Sequence, residues 1–387
     1  MAALVSVGLL PAAASQARSS AKPSIRLVTA GIADSRVVAK VAVSRAPTGA
    51  RWKLRVDGKQ QRSVPKATRW GTSGFLAPGT HKVQALLVTR RGAPLSVSAT
   101  RSVYVNVSVA AAGDIACDPN QPGYAGTGTV CHQRQTAALL GKHHYHAVFT
   151  LGDEQYECGV LDAYKVSYGS TWGKYQAITH PSAGDHEYGT TKVGCPKGTN
   201  ASGYFAYWGA KAGDPTKGYY SYDLGGWHVV VLNSNCADIG GCGKGSPQEQ
   251  WLAADLAAHP SVCTAAYWHE PRFTSGLAGD ATTVDALWRD LYAAHADLVL
   301  NGHAHVYERF APQNPDGVAA PDGITEIVVG TGGRSLSGFG PPAANSVVRQ
   351  SSTFGILSLT LGKSSFSWRF VPEAGSTFAD SGTTACH

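Results

Sequence analysis

Five short stretches of the chain place carboxylates, imidazoles and one phenol directly after apolar runs. They are Gly113-Asp114, Gly152-Asp153 with Tyr156, Gly184-Asp185-His186, His269, and His303-Ala304-His305. Asp after Gly is ordinary turn chemistry, and each stretch alone reads as a turn or a satisfied histidine. Five at the same kind of position call for a common explanation. Carboxylates and imidazoles together suit hard-to-borderline divalent and trivalent ions. A His-x-His pair on extended backbone puts residues 303 and 305 on one side. The donors suffice for two ions sharing one carboxylate. Two ions ~3.5–4 Å apart can hold a hydroxide and stabilise both the attacking and the leaving oxygen of a phosphoryl group.

The elements that must position these donors alternate in type. VSVAAAG reads as a strand, residues 131–142 as a helix, and HAVFTLG and ITHPSAG as further strands. GYYSYDLGGWHVVVLN reads as a hairpin turning at Gly225-Gly226. Ser246, Pro247 and Glu249 have the spacing of a helix N-cap, first helical residue and capping-box partner. TAAYWH, an amphipathic DATTVDALWRDLYAAH and ADLVLNGHAH follow, then strands in ITEIVVG, GILSLTL and SFSWRFV. In α/β sheets ligands collect beyond the carboxyl ends of strands, where all five donor stretches fall. His143, His144 and His146 precede a strand and read as surface.

The charge is divided unevenly. The formal net charge is +7, but residues 1–108 carry +15 and residues 109–387 carry −8. All eight cysteines lie in the second part. Two composition changes at one place put a domain boundary near residue 107. Residues 24–106 alternate apolar and polar positions in short runs bounded by Gly, Pro and Ser, which suits a small antiparallel sandwich of the immunoglobulin or fibronectin type III kind. Asp57 and His81 read there as lone surface polar residues. The basic excess fits either an anionic cell-surface polymer as partner or solubility alone. No specific nucleic-acid motif is present.

The first twenty residues, MAALVSVGLLPAAASQARSS, read as the end of a secretory signal or as an Ala-rich tail. No later apolar run reaches 18 residues, so no membrane span is expected. An even cysteine count with an export signal points to disulfides in an oxidising, extracytoplasmic compartment. Sequence proximity suggests Cys117–Cys131, Cys158–Cys195, Cys236–Cys242 and Cys263–Cys386, one of 105 connectivities. The expected domains are 1–22 as signal peptide or disordered N-terminus, 23–106 as the sandwich and 107–387 as the catalytic domain.

Taken in order, GD, GDEQY, GDHE, YWH and GHAH resemble the five blocks of the metallophosphoesterases, and specifically the purple acid phosphatase branch, whose second block is Gly-Asp-x-x-Tyr. The resemblance covers residues 107–387. It implies a four-layer αββα sandwich behind the β-sandwich, and a secreted phosphomonoesterase. Carried over by motif, Asp114, Tyr156 and His305 bind a first ion, Asp153 bridges, and Asp185, His269 and His303 bind a second. His186 stands beside the phosphate as catalytic acid. Tyr156 fills the vacancy left by Ala116, where many relatives have histidine. A phenolate ligand implies ferric iron, paired with divalent iron, zinc or manganese. Arg272 and Arg309 follow the fourth and fifth blocks and are expected at phosphate or in ion pairs. Glu154 is expected beside the site or facing solvent. The family's third block carries Asn where this chain has Asp185, which lowers the charge of the cluster by one. That substitution leaves open a phosphodiesterase acting on nucleotides or phospholipid headgroups. A polyanion-binding surface protein with a degenerate phosphatase domain is the further alternative.

Overall fold

The computed structural model describes residues 22–65, 67–126, 129–189, 195 and 200–387. The export signal expected at the N-terminus lies, apart from Lys22, outside them. The chain forms two compact units. One runs to Gly74 and resumes over Thr80–Val103; the other comprises Phe75–Gly79 and Tyr104–His387.

Eight strands open the chain: β1 (Ser24–Ala33), β2 (Arg36–Ser44), β3 (Arg51–Val56), β4 (Lys59–Pro65), β5 (Trp70–Phe75), β6 (Gly79–Val88), β7 (Pro94–Val97) and β8 (Arg101–Val105). They make a three-stranded sheet, β1–β2–β5, and a five-stranded sheet, β4–β3–β6–β7 with β8 against β6. Neighbours such as β1 and β2 or β3 and β6 run antiparallel. Period-two alternation explains the burial in β3. Trp52, Leu54 and Val56 are buried, while Arg51, Lys53 and Arg55 keep access to water. These three basic side chains therefore lie on the polar face of β3. Asp57 and His81 are not lone residues, because Asp57 Oδ2 lies 2.6 Å from His81 Nδ1.

The second unit holds two mixed sheets and few helices. Its strands are β9 (Val107–Ala112), β10 (Ala147–Leu151), β11 (Thr179–Ser182), β12 (Tyr220–Leu224), β13 (Trp227–Val231), β14 (Thr264–Tyr267), β15 (Leu298–Asn301), β16 (Tyr307–Phe310), β17 (Thr325–Val329), β18 (Ser346–Gln350), β19 (Gly355–Leu361), β20 (Ser365–Pro372) and β21 (Ser381–Ala385). One sheet has the order β11–β10–β9–β19–β20–β21, the other β12–β13–β14–β15–β17–β16–β18. Strands β9 to β11 pair parallel, as do β13, β14, β15 and β17. Strands β10, β13, β14, β15 and β17 are buried along their whole length. A strand covered on both faces needs no polar alternation, which is why these segments read as unbroken apolar runs.

The α-helices are α1 (Gln133–Leu140), α2 (Leu161–Ala163), α3 (Asp185–Tyr188), α4 (Ser202–Trp208), α5 (Pro247–Ala258) and α6 (Asp285–Ala293). At α5 the Ser246 hydroxyl accepts from Glu249 N–H at 3.3 Å, as its spacing predicts, but the Glu249 carboxylate accepts from Gly245 rather than Ser246. The four disulfides are Cys117–Cys131, Cys158–Cys195, Cys236–Cys242 and Cys263–Cys386, the pairing that proximity suggested. Among the described residues no helix is long and apolar enough to cross a membrane.

Candidate metal centre

Strand ends deliver the donors. Asp114 follows β9, Asp153 and Tyr156 follow β10, Asp185 and His186 follow β11, His269 follows β14, and His303 and His305 follow β15. Parallel pairing of β9, β10 and β11 aligns three of these ends, and parallel pairing of β14 with β15 aligns the others. Four of the donors sit in the left-handed region that L-residues avoid: Asp114 (φ 60°), Asp153 (49°), His303 (66°) and His305 (48°). Such strained residues persist only where surrounding contacts fix them, and they gather at working sites.

The donors form two adjoining groups. In the first, Tyr156 Oη donates to Asp114 Oδ1 at 2.9 Å and lies 3.0 Å from His305 Nε2, which is 3.2 Å from Asp114 Oδ1. In the second, His269 Nε2 lies 3.1 Å from Asp185 Oδ1 and 3.2 Å from His303 Nδ1, and His303 Nδ1 lies 3.2 Å from Asp185 Oδ1. Asp153 belongs to both. Its carboxylate stands with Asp114 and His305, and its Oδ1 is 3.3 Å from His269 Nε2. Atoms bound to one ion at about 2.0–2.2 Å lie about 3–3.5 Å apart, so these spacings match a shared ion in each group. His303 and His305 part ways. The left-handed turns at both positions replace the extended backbone expected for His-x-His and send one ring to each group.

The rings are held from behind. His269 Nδ1 donates to Leu151 O at 2.8 Å, and His305 Nδ1 faces the Ser335 carbonyl and hydroxyl at 3.0 and 2.9 Å. Each contact turns Nε2 toward the cluster, as a ligating imidazole requires. His186 is buried; its Nδ1 donates to Glu157 O at 2.6 Å, its Nε2 lies 3.7 Å from Asp153 Oδ2, and its ring packs 4.1 Å from that of Tyr156.

The electrostatics fit cations. Asp114, Asp153 and Asp185 are all buried, and buried carboxylates need positive partners. Burial and the neighbouring Asp185 push the Asp153 pKa up, but His269 and His186 outweigh them and bring it to about 2. Burial also opposes ionisation of Asp185, and hydrogen bonds from His269 and His303 carry its pKa well below the usual carboxylate range. On His269 burial disfavours the charge, yet Asp153 and Asp185 raise its pKa well above the ordinary value; Asp114 does the same for His305 against burial. Tyr156 is pushed far up by burial and then by Asp114 and Asp153. A cation bound among them would displace the protons that the carboxylates favour on His269 and His305.

Two buried acids not singled out as donors shape the loop beneath. Glu187 accepts from the backbone N–H groups of Asp153 (2.9 Å), Glu154 (3.0 Å), Gln155 (3.1 Å) and Gly184 (2.8 Å), and from Tyr164 Oη (3.0 Å). Its position three residues after Gly184 is the one signal that could have found it, the spacing of a helix cap and its acidic partner. Gly184 itself cannot carry a side chain, because a Cβ there would collide with Asp153. Glu154 does not face solvent. It is fully buried, accepting from Thr150 Oγ1, Tyr164 Oη (2.9 Å) and Trp208 Nε1 (2.5 Å). Burial raises its pKa far up, reinforced by Glu187, whose own pKa burial and Asp153 raise to about 7.

Arg272 and Arg309 are engaged elsewhere. Arg272 uses Nε and Nη2 on Asp285 Oδ1 (3.2 and 2.9 Å), and Arg309 uses Nε and Nη2 on Asp380 (2.8 and 3.1 Å). Of the two roles expected for them the geometry gives the ion pair, because each planar fork is already filled by a carboxylate. An arginine that sequence reading passed over, Arg334, lies beside Tyr156 instead. Its only sequence signal was its place in VGTGGR, just beyond another buried strand.

No family model matches the chain. It is 34% identical over 178 residues to purple acid phosphatase 22 of Arabidopsis thaliana, a match spanning 42% of this chain and 39% of that protein. It is also 34% identical over 138 residues to purple acid phosphatase 15 of the same plant, spanning 34% and 25%. The matched region thus covers well under half of these curated relatives. Among solved structures, purple acid phosphatase PPD1 from yellow lupin seeds aligns with TM-score 0.57 at 16% identity, over 94% of this chain and 74% of that one. GAP50, the anchor in the inner membrane complex of Plasmodium, aligns with TM-score 0.51 at 12% identity, over 73% and 90%.

Proposed function

From a chain that is purple acid phosphatase-like in sequence and fold, we propose a secreted metal-dependent phosphoric ester hydrolase with two ions, acting on phosphomonoesters. The observation that carries this reading is the position of Asp153, whose one carboxylate serves two adjoining donor groups. A shared fold alone would not suffice, since a fold hosts many roles. Asp114, Tyr156 and His305 would hold one ion, and Asp185, His269 and His303 the other, with Asp153 between them. The phenol favours ferric iron in the first position, with iron, zinc or manganese in divalent form in the second. Bound there, the ions supply a nucleophile activated near neutral pH and offset charge on phosphoryl oxygens.

The chain's own residues do the rest. Glu187 fixes the Asp153 loop, and the Leu151 and Ser335 carbonyls set two imidazole tautomers. His186 holds its Nδ1 proton on Glu157 O and turns Nε2 inward, where it serves as acid to the leaving oxygen. The same reading takes 1–22 as signal peptide, 23–106 as a fibronectin-like sandwich and 107–387 as a four-layer αββα domain. The four disulfides fit an oxidising compartment. The basic face of the first unit would meet an anionic cell-surface polymer.

Elemental analysis with nitrophenyl phosphate turnover tests the proposal. Two ions per chain and hydrolysis are expected; an ion-free, inactive protein after refolding with iron and zinc would overturn it. Asp185 favours one second reading. Its carboxylate lowers the charge of the cluster, which suits singly charged phosphodiesters, and faster turnover of bis(nitrophenyl) than of mononitrophenyl phosphate would select it.

A further inference from the structure

We propose that Arg334 is a phosphate-holding residue that biases this site toward doubly charged phosphomonoesters; the proposal rests on the phosphoesterase reading above. The position of Arg334 is fixed by backbone. Gly332 N–H donates to Gly113 O at 2.9 Å, Arg334 N–H donates to Asp114 O at 2.8 Å, and Arg334 O accepts from Cys131 N–H at 3.1 Å. Gly333 between them lies at φ +149°, and a Cβ there would meet Gln133 N at 2.6 Å and Ile115 O at 2.7 Å. The segment after β17 therefore runs tightly along the loop that carries Asp114, and Arg334 cannot drift from the donor cluster.

Its side chain reaches across the Tyr156 ring, with Cζ 5.0 Å from the centroid. Nη2 pairs with Glu157 Oε1. Nε is buried and has no partner among the described residues. This separates Arg334 from Arg272 and Arg309, each of which has both Nε and Nη2 on a carboxylate. A planar guanidinium with one arm tethered and a buried donor unspent suits a tetrahedral oxyanion.

Glu157 sets the aim. Its side chain is 39% exposed; Oε2 lies 3.7 Å from His186 Nδ1, and its carbonyl accepts that same nitrogen at 2.6 Å. Arg334 and His186 are thus tied to one residue, and both pack against Tyr156. Glu157 offers the guanidinium a carboxylate until an anion takes the remaining donors. A permanent cation here also answers the charge of Asp185. The ion cluster, carrying one carboxylate more than the family pattern, attracts a dianion less, and Arg334 returns a positive charge at the rim. One extra charge on the substrate is what a guanidinium distinguishes best, so the gain falls on monoesters.

The test uses the full metal-loaded chain and its Arg334→Ala, Arg334→Lys and Glu157→Gln variants. Readouts are kcat and KM for mononitrophenyl and bis(nitrophenyl) phosphate, the inhibition constant of inorganic phosphate, ion content and melting temperature. In Arg334→Ala the monoester KM and the phosphate inhibition constant should rise about ten- to hundredfold, the size of a lost charged hydrogen bond, while the diester changes less than about threefold. Arg334→Lys should recover part of the phosphate affinity and guards against a variant that fails to fold. Glu157→Gln, with the tether weakened, should shift the monoester KM by less than Arg334→Ala. Equal losses on both esters, or an unchanged phosphate constant in a variant that keeps its ions, would overturn the role of Arg334 and leave the hydrolase reading standing. A wild-type chain that holds its ions and turns over neither ester would remove the hydrolase reading, and this inference with it.

Discussion

The two halves of the donor cluster differ in chemistry. The Asp114 half offers two oxygen ligands, from a carboxylate and a phenol, with one imidazole, and Arg334 stands at its edge. The Asp185 half offers two imidazoles and one carboxylate and has no phenol. Hard oxygen donors favour a hard trivalent ion, while imidazoles suit borderline divalent ones. The difference teaches that the halves are not duplicates. On the two-ion reading the oxygen-rich half suits a stronger Lewis acid and the imidazole-rich half a borderline divalent ion, and the Asp153 carboxylate stands with both.

The sharpest way to break the comparison is to remove what the halves share. Asp153→Asn should empty both, with ion content below about one per chain and turnover down about a thousandfold, several kcal/mol of barrier. Next comes the support common to both loops. Glu187→Ala strands four buried backbone donors, and a loss of about 3–5 kcal/mol in urea unfolding is expected, with Glu187→Gln milder. Substitutions within one half should separate them. Tyr156→Phe should abolish a visible charge-transfer band and weaken one ion about ten- to hundredfold, whereas His269→Ala should keep the band and lose the other ion. Two similar spectra would erase the distinction.

Acid effects outside both halves need a control, and His180 supplies it. Burial, with Lys211 adding to it, brings its pKa down to about 4 from the ordinary 6.5. The unfolded chain then binds more protons between about pH 6.5 and 4, so stability is level above 6.5 and falls as pH drops through that window. The loss at pH 5.5 should be about 1 kcal/mol after allowing for partial exposure, and His180→Phe should remove it, read as the pH dependence of the unfolding midpoint. The smallest expected effect sharpens the comparison by a single charge. Asp185→Asn should raise phosphatase activity at neutral pH about threefold; unchanged or lower activity would count against the charge argument.

The donors were legible because buried strands announce themselves as apolar runs, and an Asp or His just past one is conspicuous. The Ser246 cap of α5 belongs to the same local grammar, whereas the layered arrangement came only with the family resemblance. What could not be read depends on geometry that no spacing encodes. Period alone made His303 and His305 a same-side pair, whereas left-handed turns split them between halves, as only the family resemblance had implied. Arg272 and Arg309 lie near the motifs in sequence, yet Asp285 and Asp380, 13 and 71 positions away, take them. Arg334 is 178 residues beyond Tyr156 and reaches it because β17 lies in the sheet beside β15. Glu154 was expected beside the site or facing solvent and is fully buried, and only the fold revealed how many backbone amides Glu187 gathers.

The disulfides carry a last consequence. Cys117 lies three residues past Asp114 and is bonded to Cys131 at the far end of the same β9–α1 connection, and Cys158 lies two past Tyr156 and is bonded to Cys195, beyond α3. Loops pinned this way keep their course when their charge balance is disturbed. On the two-ion reading a chelator should therefore strip the charge-transfer band and the turnover while leaving a mould that reloads within one mixing step, whereas chelator and reductant together should leave a chain that no longer takes up ions.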